Sequence, residues 1–234
     1  MRGSLNHSIA PRLAVAFTGL LALVGAAQAD AELPLEDFLE RVRQPFIRTV
    51  SGAARGVIQH RGDQGTRRMA IDLSFQFSAK LARATATLQS GATCEMLWQH
   101  GRAGSARIVK PVPESELSLH DLGIEPDDLT FSFLFWPAVE ERRRDSVSGQ
   151  PCRVILLRHP TEDVEVLGWF SDKFLFPLRL EWYRTGDPEP RRVCEFTRFK
   201  QMDDGTWFIR SMRIYGRGWK TKLTLNEADL ETGA

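Results

Sequence analysis

Cysteine is scarce: the 234 residues hold three, Cys94, Cys152 and Cys194, and none falls in a Cys-x-x-Cys pair or at zinc-ligand spacing. That excludes a disulfide scaffold, a dithiol redox motif and a structural zinc module. An odd number cannot all pair internally, so one bridge beside one buried thiol and three buried thiols both stay open. The reading favoured is three small apolar residues in strands. Charge of one sign is lacking too, with 31 basic against 30 acidic side chains and a formal net charge of +1. No electrostatic case for a nucleic-acid partner exists at that balance.

Catalytic signatures are missing. There is no Gly-x-Ser-x-Gly, no phosphate-binding loop, no Gly-x-Gly-x-x-Gly after a strand and no His-Glu-x-x-His. His60, His100, His120 and His159 stand apart from one another, and His120-Asp121 is a two-letter coincidence in an acidic linker. The expectation is a protein without catalytic residues, metal or cofactor. An envelope hydrolase built from dispersed acids gains no support from any motif.

Long apolar runs are confined to the first thirty residues. Arg2 and Arg12 precede the run 13–26 (LAVAFTGLLALVGA), and Ala27-Gln28-Ala29 follows with small residues at the peptidase positions. This order is that of a cleavable secretory signal, and the run is short of the roughly 20 residues that span a bilayer. Cleavage after Ala29 would remove two arginines and no acid, taking the formal charge from +1 to −1. No cysteine follows the run to accept a lipid. The expected product is soluble and outside the cytoplasm, with residues 30–234 forming one domain.

What is present is mostly period 2. The stretch 34–42 (PLEDFLERV) reads as a short amphipathic helix, with Leu35, Phe38, Leu39 and Val42 on one face and Pro45 ending or kinking it. Met69, Ile71, Leu73, Phe75 and Phe77 then alternate with polar or small residues, a half-buried strand. Strands are further expected over 83–88, 94–98, 106–109, 152–158, 163–170, 178–183, 192–200, 207–215 and 220–225, separated by Gly, Asp and Pro turns. Short strands at this spacing argue an antiparallel all-β sandwich or barrel. Several late strands carry apolar residues at both parities, as Phe208, Met212 and Ile214 do against Trp207, Ile209 and Tyr215. Both faces must then be covered, by helices, by a filled interior or by a ligand.

Three segments stand out from the meander. The charge run 140–145 (EERRRD) reads as a solvated strand, and Arg213, Arg217, Lys220 and Lys222 make a mildly basic hairpin. Residues 129–136 (LTFSFLFW) follow an acidic, Pro-rich stretch. They fit a core strand or a lid over a hydrophobic cavity; helix is the reading taken, with Phe131 and Phe135 sharing a face at i, i+4.

The order of elements, with the strings DLTFSFLFW (128–136), GQPCRVILL (149–157), WFSD (169–172), FPL (176–178), EWY (181–183), DGTW (204–207) and WKTKL (219–223), resembles the LolA-like outer-membrane lipoprotein-sorting proteins. That resemblance covers most of the chain after the signal. It implies a mainly β fold, an antiparallel meander forming an unclosed β-barrel with a few helices capping its concave face. It also implies a periplasmic, non-catalytic carrier that shelters acyl chains of a lipid or lipoprotein in a hydrophobic cavity. An inner-membrane transporter or an outer-membrane acceptor would be its further partners. Candidate lining residues are Met69, Ile71, Leu73, Phe75, Phe77, Phe131, Phe133, Phe135, Trp136, Leu178, Leu180 and Trp182, which are also the obvious core. The alternative reading is a periplasmic sensor or interaction module on the same fold, binding a membrane protein.

Overall fold

The computed structural model describes residues 33–102, 104–113, 116–201 and 207–232. The expected signal segment 1–29 lies outside the described residues. The opening helix, α1 (Leu35–Ile47), forms as its spacing requires, burying Phe38, Leu39, Val42 and Phe46 and carrying Glu36 and Asp37 in its first turn. Pro45 does not end it where the sequence suggested; the helix runs on to Ile47. A proline in the last turn costs one backbone hydrogen bond, and the burial of Phe46 beside it offsets that loss.

Twelve strands follow: β1 (Val50–Gly62), β2 (Gly65–Phe77), β3 (Leu81–Leu88), β4 (Thr93–Gln99), β5 (Arg107–Lys110), β6 (Ala138–Val147), β7 (Gln150–Arg158), β8 (Val164–Ser171), β9 (Phe176–Arg184), β10 (Arg192–Gln201), β11 (Trp207–Gly216) and β12 (Trp219–Thr232). They make one antiparallel sheet in the order β5-β4-β3-β2-β1-β12-β11-β10-β9-β8-β7-β6. The edges β5 and β6 do not pair, so the barrel is unclosed, as the family resemblance implied. β6 holds the charge run and is exposed almost throughout, its pairing with β7 interrupted by two register shifts. Charge and bulges together blunt an edge that would otherwise invite a foreign strand.

β1 escapes a reading by pattern because Gly52, Ala53, Ala54 and Gly56 supply no alternating large residues. Its composition answers to backbone proximity instead. A Cβ at Gly56 would come within 2.3 Å of the Thr224 carbonyl oxygen on β12. There the register jumps from Arg55↔Glu227 to Gly56↔Leu225, leaving Asn226 unpaired.

Phase switches of this kind recur in the neighbouring strands. Between β10 and β11 the partners run Phe196↔Met212, Arg198↔Ser211 and Phe199↔Ile209, so Thr197 and Arg210 drop out of the ladder. An unpaired residue inverts the inward parity beyond it. Phe196 and Phe199 therefore share the inner face, and so do Leu223, Leu225 and Leu230.

The connection from β5 to β6 fills the interior. It carries a short 3₁₀ turn (His120–Leu122), then α2 (Pro126–Thr130), then a second 3₁₀ turn (Ser132–Phe135). At one end the Leu122 carbonyl accepts from the Thr221 hydroxyl of β12, and left-handed Gly123 packs on the Trp219 ring, where a Cβ would clash at 2.3 Å. Further on, Leu119, Leu122, Ile124, Phe133, Leu134 and Trp136 are buried. Arg43 of α1 ties this connection down, its Nε donating to the Leu134 carbonyl at 2.7 Å and its Nη2 to that of Trp136 at 3.3 Å.

The segment 129–136 is helical, but it is not one helix. Phe131 adopts a left-handed φ of 55° that closes α2 and restarts the chain as the 3₁₀ turn. Phe131 and Phe135 consequently diverge. The former joins Phe46 and Phe176, and the latter packs between Trp98 and His100.

Candidate functional site

Where the phase switches fall, the inner face does not close on itself. A cavity of about 520 Å³ remains between the sheet, the end of α1 and the Phe131 elbow. β2 contributes Leu73, Phe75 and Phe77, and β10 contributes Phe196 and Phe199. β11 adds Phe208, Ile209, Ser211 and Met212, and β12 adds Leu223, Leu225 and Leu230. The turn before β9 supplies Phe174 and Leu175 beside Phe176, while Pro45, Phe46 and Arg48 close the α1 side. Asp128, Leu129 and Phe131 come from the interior connection.

The wall is a connected aromatic surface. Phe46 lies 5.6 Å from Phe77 and 5.0 Å from Phe131, Phe176 lies 5.0 Å from Phe196, and Phe174 stacks on Phe199 at 5.0 Å. Edge-to-face and offset pairs of this kind contribute roughly 0.5–1.5 kcal/mol each beyond the burial of their area. Two of the three non-glycine residues with positive φ among the described residues, Phe131 and Leu175, stand in this wall. Strain is tolerated at such sites when the surroundings over-determine it.

Its polar lining residues are Arg48, Asp128 and Ser211, and Asp128 is held from behind the wall. Arg192 of β10 donates to Asp128 Oδ2 at 2.6 Å, and its guanidinium lies 4.2 Å from the Trp182 ring. Burial alone would depress Arg192, but the Asp128 carboxylate outweighs it and the guanidinium is held above its ordinary value. Asp128 Oδ2 also accepts from the Glu125 N–H at 2.8 Å, closing the start of α2. Asp127, next to it, accepts from Ala106 N–H at 2.8 Å and from the Ser132 hydroxyl, yet burial pushes its carboxyl above the usual range. Such a constellation can bind an apolar molecule and orient it. Among the described residues, no three His, Cys, Asp or Glu side chains gather as a metal site. The three cysteines are free and buried, in β4, β7 and β10.

Fold comparison identifies the architecture. A Vibrio parahaemolyticus domain assigned to outer-membrane lipoprotein sorting superposes with a TM-score of 0.58 at 17% identity, covering 85% of this chain and 94% of that one. A LolA superfamily protein from Nitrosomonas europaea gives 0.56 at 13% identity, over 86% and 96% of the two chains. The chain has a LolA-like fold. A DUF1329 family protein from Desulfovibrio piger shares it, with a TM-score of 0.62 at 13% identity over 85% of this chain and 92% of the other. No protein-family model matches the sequence, and no curated protein matches it either. At these identities the likeness is one of backbone architecture.

Against this LolA-like frame, Leu73, Phe75, Phe77 and Phe131 stand in the cavity wall. The other eight sequence candidates lie outside it. Ile71 is buried farther along β2, and Met69 is half-buried near the hairpin. Phe133 packs on Trp182 at 5.5 Å, Trp136 on Trp182 and His159, and Phe135 under Arg43. Leu178 and Leu180 are buried on β9. These groups join the interior connection to the sheet. Of the remaining wall, β11 alone was signalled, by apolar residues at both parities; the wall residues of β10 and β12 were not singled out, because bulges invert the parity along those strands.

Proposed function

We propose that the chain is a non-catalytic periplasmic carrier that shelters an acyl chain of a lipid or lipoprotein in this cavity. In this reading residues 1–29 direct export and are removed, and the carrier takes cargo from an inner-membrane source and passes it to an outer-membrane acceptor. One observation carries the reading: an aromatic-walled cavity of about 520 Å³ inside a LolA-like half-barrel. Among the described residues, no helix is long and apolar enough to cross a membrane.

The energetics suit a carrier. Each buried methylene gains about 0.8 kcal/mol, so about ten of them gain about 8 kcal/mol. Lost translational freedom takes back several kcal/mol, leaving affinity that allows release as well as capture. The test is organic extraction of the purified chain followed by lipid mass spectrometry, with a fluorescent fatty acid as probe. Stoichiometric lipid or saturable probe binding, reduced when Leu73→Trp fills the wall, is the expected result. Repeatedly lipid-free protein that binds no probe would overturn it, and a protein partner captured irrespective of lipid would favour the sensor reading.

A further inference from the structure

The two charged residues of the cavity lining differ in exposure. Asp128 is only 1% exposed, and Arg192 balances its carboxylate at 2.6 Å. Arg48 is exposed, as is Pro45 shortly before it, while the rest of the lining is buried or half-buried. The cavity therefore meets water beside the end of α1, and the lining charge that an entering ligand meets there is positive.

Nothing in the protein claims that charge. Arg48 has no hydrogen-bond or ion-pair partner among the described residues. Asp229 and Glu231 flank inward Leu230 on β12, so they point to the outer face. Lys173 brings a second cation to the lining, its Nζ 5.3 Å from the ring of Phe174, and Asp172 beside it is taken by Arg144 at 2.6 Å. Arg48 also closes α1, where a cation is favoured with or without a ligand. Ligand choice, and not stability, is thus the property that separates the two roles.

From Arg48 the lining runs inward beside β1. Val50 pairs with Phe77, Gly52 with Phe75 and Leu230, Ala54 with Leu73, and Gly56 with Leu225. Every one of those partners stands in the wall. At about 3.3 Å per residue, the track from Val50 to Gly56 is roughly 20 Å long. It is an apolar path for one extended chain, and a cavity of about 520 Å³ is of the size that encloses one small ligand. An anion costs too much to desolvate along that path, so a charged head stays at the exposed end. A guanidinium fork suits either a carboxylate or a phosphate there.

Resting on the carrier reading above, we infer that the ligand is a single-chain amphiphile with an anionic head, its tail along the β1 track and its head on the Arg48 guanidinium.

Displacement of pyrene, an uncharged hydrocarbon, tests this. The competitors are tetradecanoate, tetradecyl phosphate and methyl tetradecanoate, which share one tail and differ in the head. At low salt an anionic competitor should displace pyrene at about three- to tenfold lower concentration than the ester, the size of one charge-assisted contact at a partly exposed site. Preference for tetradecanoate alone assigns a fatty-acid source, and preference for the phosphate alone a single-chain phospholipid source. Arg48→Gln should remove the advantage with ester binding unchanged, Arg48→Lys should keep most of it, and Arg48→Glu should reverse it. An advantage that is absent in wild type, or that survives Arg48→Gln, would overturn the inference and leave the carrier reading standing. Pyrene that never binds would overturn the carrier reading itself.

Discussion

Phe131 is the joint on which the interior connection turns, and its replacement separates two effects that usually travel together. Its ring has five aromatic neighbours, with centroids at 5.0 Å (Phe46), 5.5 Å (Phe176), 6.2 Å (Phe196), 6.4 Å (Phe77) and 6.4 Å (Phe133). Truncating a fully buried Phe to Ala costs roughly 3–5 kcal/mol. Phe131 faces a cavity and is half-buried, so about 2 kcal/mol is expected for Phe131→Ala. The backbone adds a second contribution, since φ is 55° there. A left-handed conformation costs an L-residue roughly 1–2 kcal/mol. Glycine escapes that cost but loses roughly 0.5–1 kcal/mol through its freer unfolded state. Phe131→Gly should therefore be more stable than Phe131→Ala by about 0.5–1 kcal/mol, the reverse of the order in an ordinary helix. Urea unfolding followed by tryptophan fluorescence measures both, and thermal midpoints should differ by about 2–4 °C per kcal/mol for a chain of this size. A glycine variant less stable than the alanine variant would refute the left-handed elbow. Two variants as stable as wild type would refute the aromatic cluster as a source of stability.

Other expectations follow from buried polar groups. Both tyrosines of the chain donate to glutamates on the outer face, Tyr183 to Glu181 at 2.5 Å and Tyr215 to Glu195 at 3.0 Å. Burial and Glu181 push Tyr183 up to about 12, and Tyr215 is raised by the same causes. Since the protonated form is favoured by folding, that stability is present below about pH 10 and lost as pH rises through the folded values. Titration at 295 nm should show both phenols mostly protonated at about pH 10, where free tyrosine is half-ionised. Asp127 has the same sign at lower pH: its raised carboxyl makes stability fall as pH climbs from the ordinary value of 3.8 through the folded one. Relative to Asp127→Asn, wild type should be less stable near neutral pH than in mild acid, and equal offsets at both would disprove the burial effect. Arg43→Met leaves the Leu134 and Trp136 carbonyls short of a donor, a loss of roughly 1–3 kcal/mol. Amide exchange over residues 132–136 should accelerate in that variant, and unchanged protection would show that the tie is idle.

Much of the sheet was readable because half-buried strands announce themselves by alternation. Residues 69–77 and the Ser148-Gly149 turn with φ of 51° and 77° are the clearest cases. β1 was not readable, since its glycines serve close contact with β12 and carry no side chain to show a pattern. The candidate site was half legible for a related reason. Leu73, Phe75 and Phe77 obey period 2 and were found, whereas Phe196 with Phe199, and Leu225 with Leu230, share a face only because unpaired residues invert the parity between them. A bulge depends on how two strands meet, and neither strand's own sequence encodes it alone.

The amino-acid sequence by itself determined the class: an antiparallel β meander opened by an amphipathic helix and interrupted by one acidic, aromatic connection. Local alternation, turn residues and the lack of catalytic or metal-binding motifs suffice for that, because each is written within a few neighbouring residues. Tertiary structure alone decided that the connection enters the half-barrel and breaks at Phe131, and that eight of the twelve apolar candidates pack outside the cavity wall. It also decided that Phe75 of β2 and Phe199 of β10, far apart along the chain, meet the same cavity. Which side chains face a common space is a property of strand register and long-range packing, and local pattern carries no record of either.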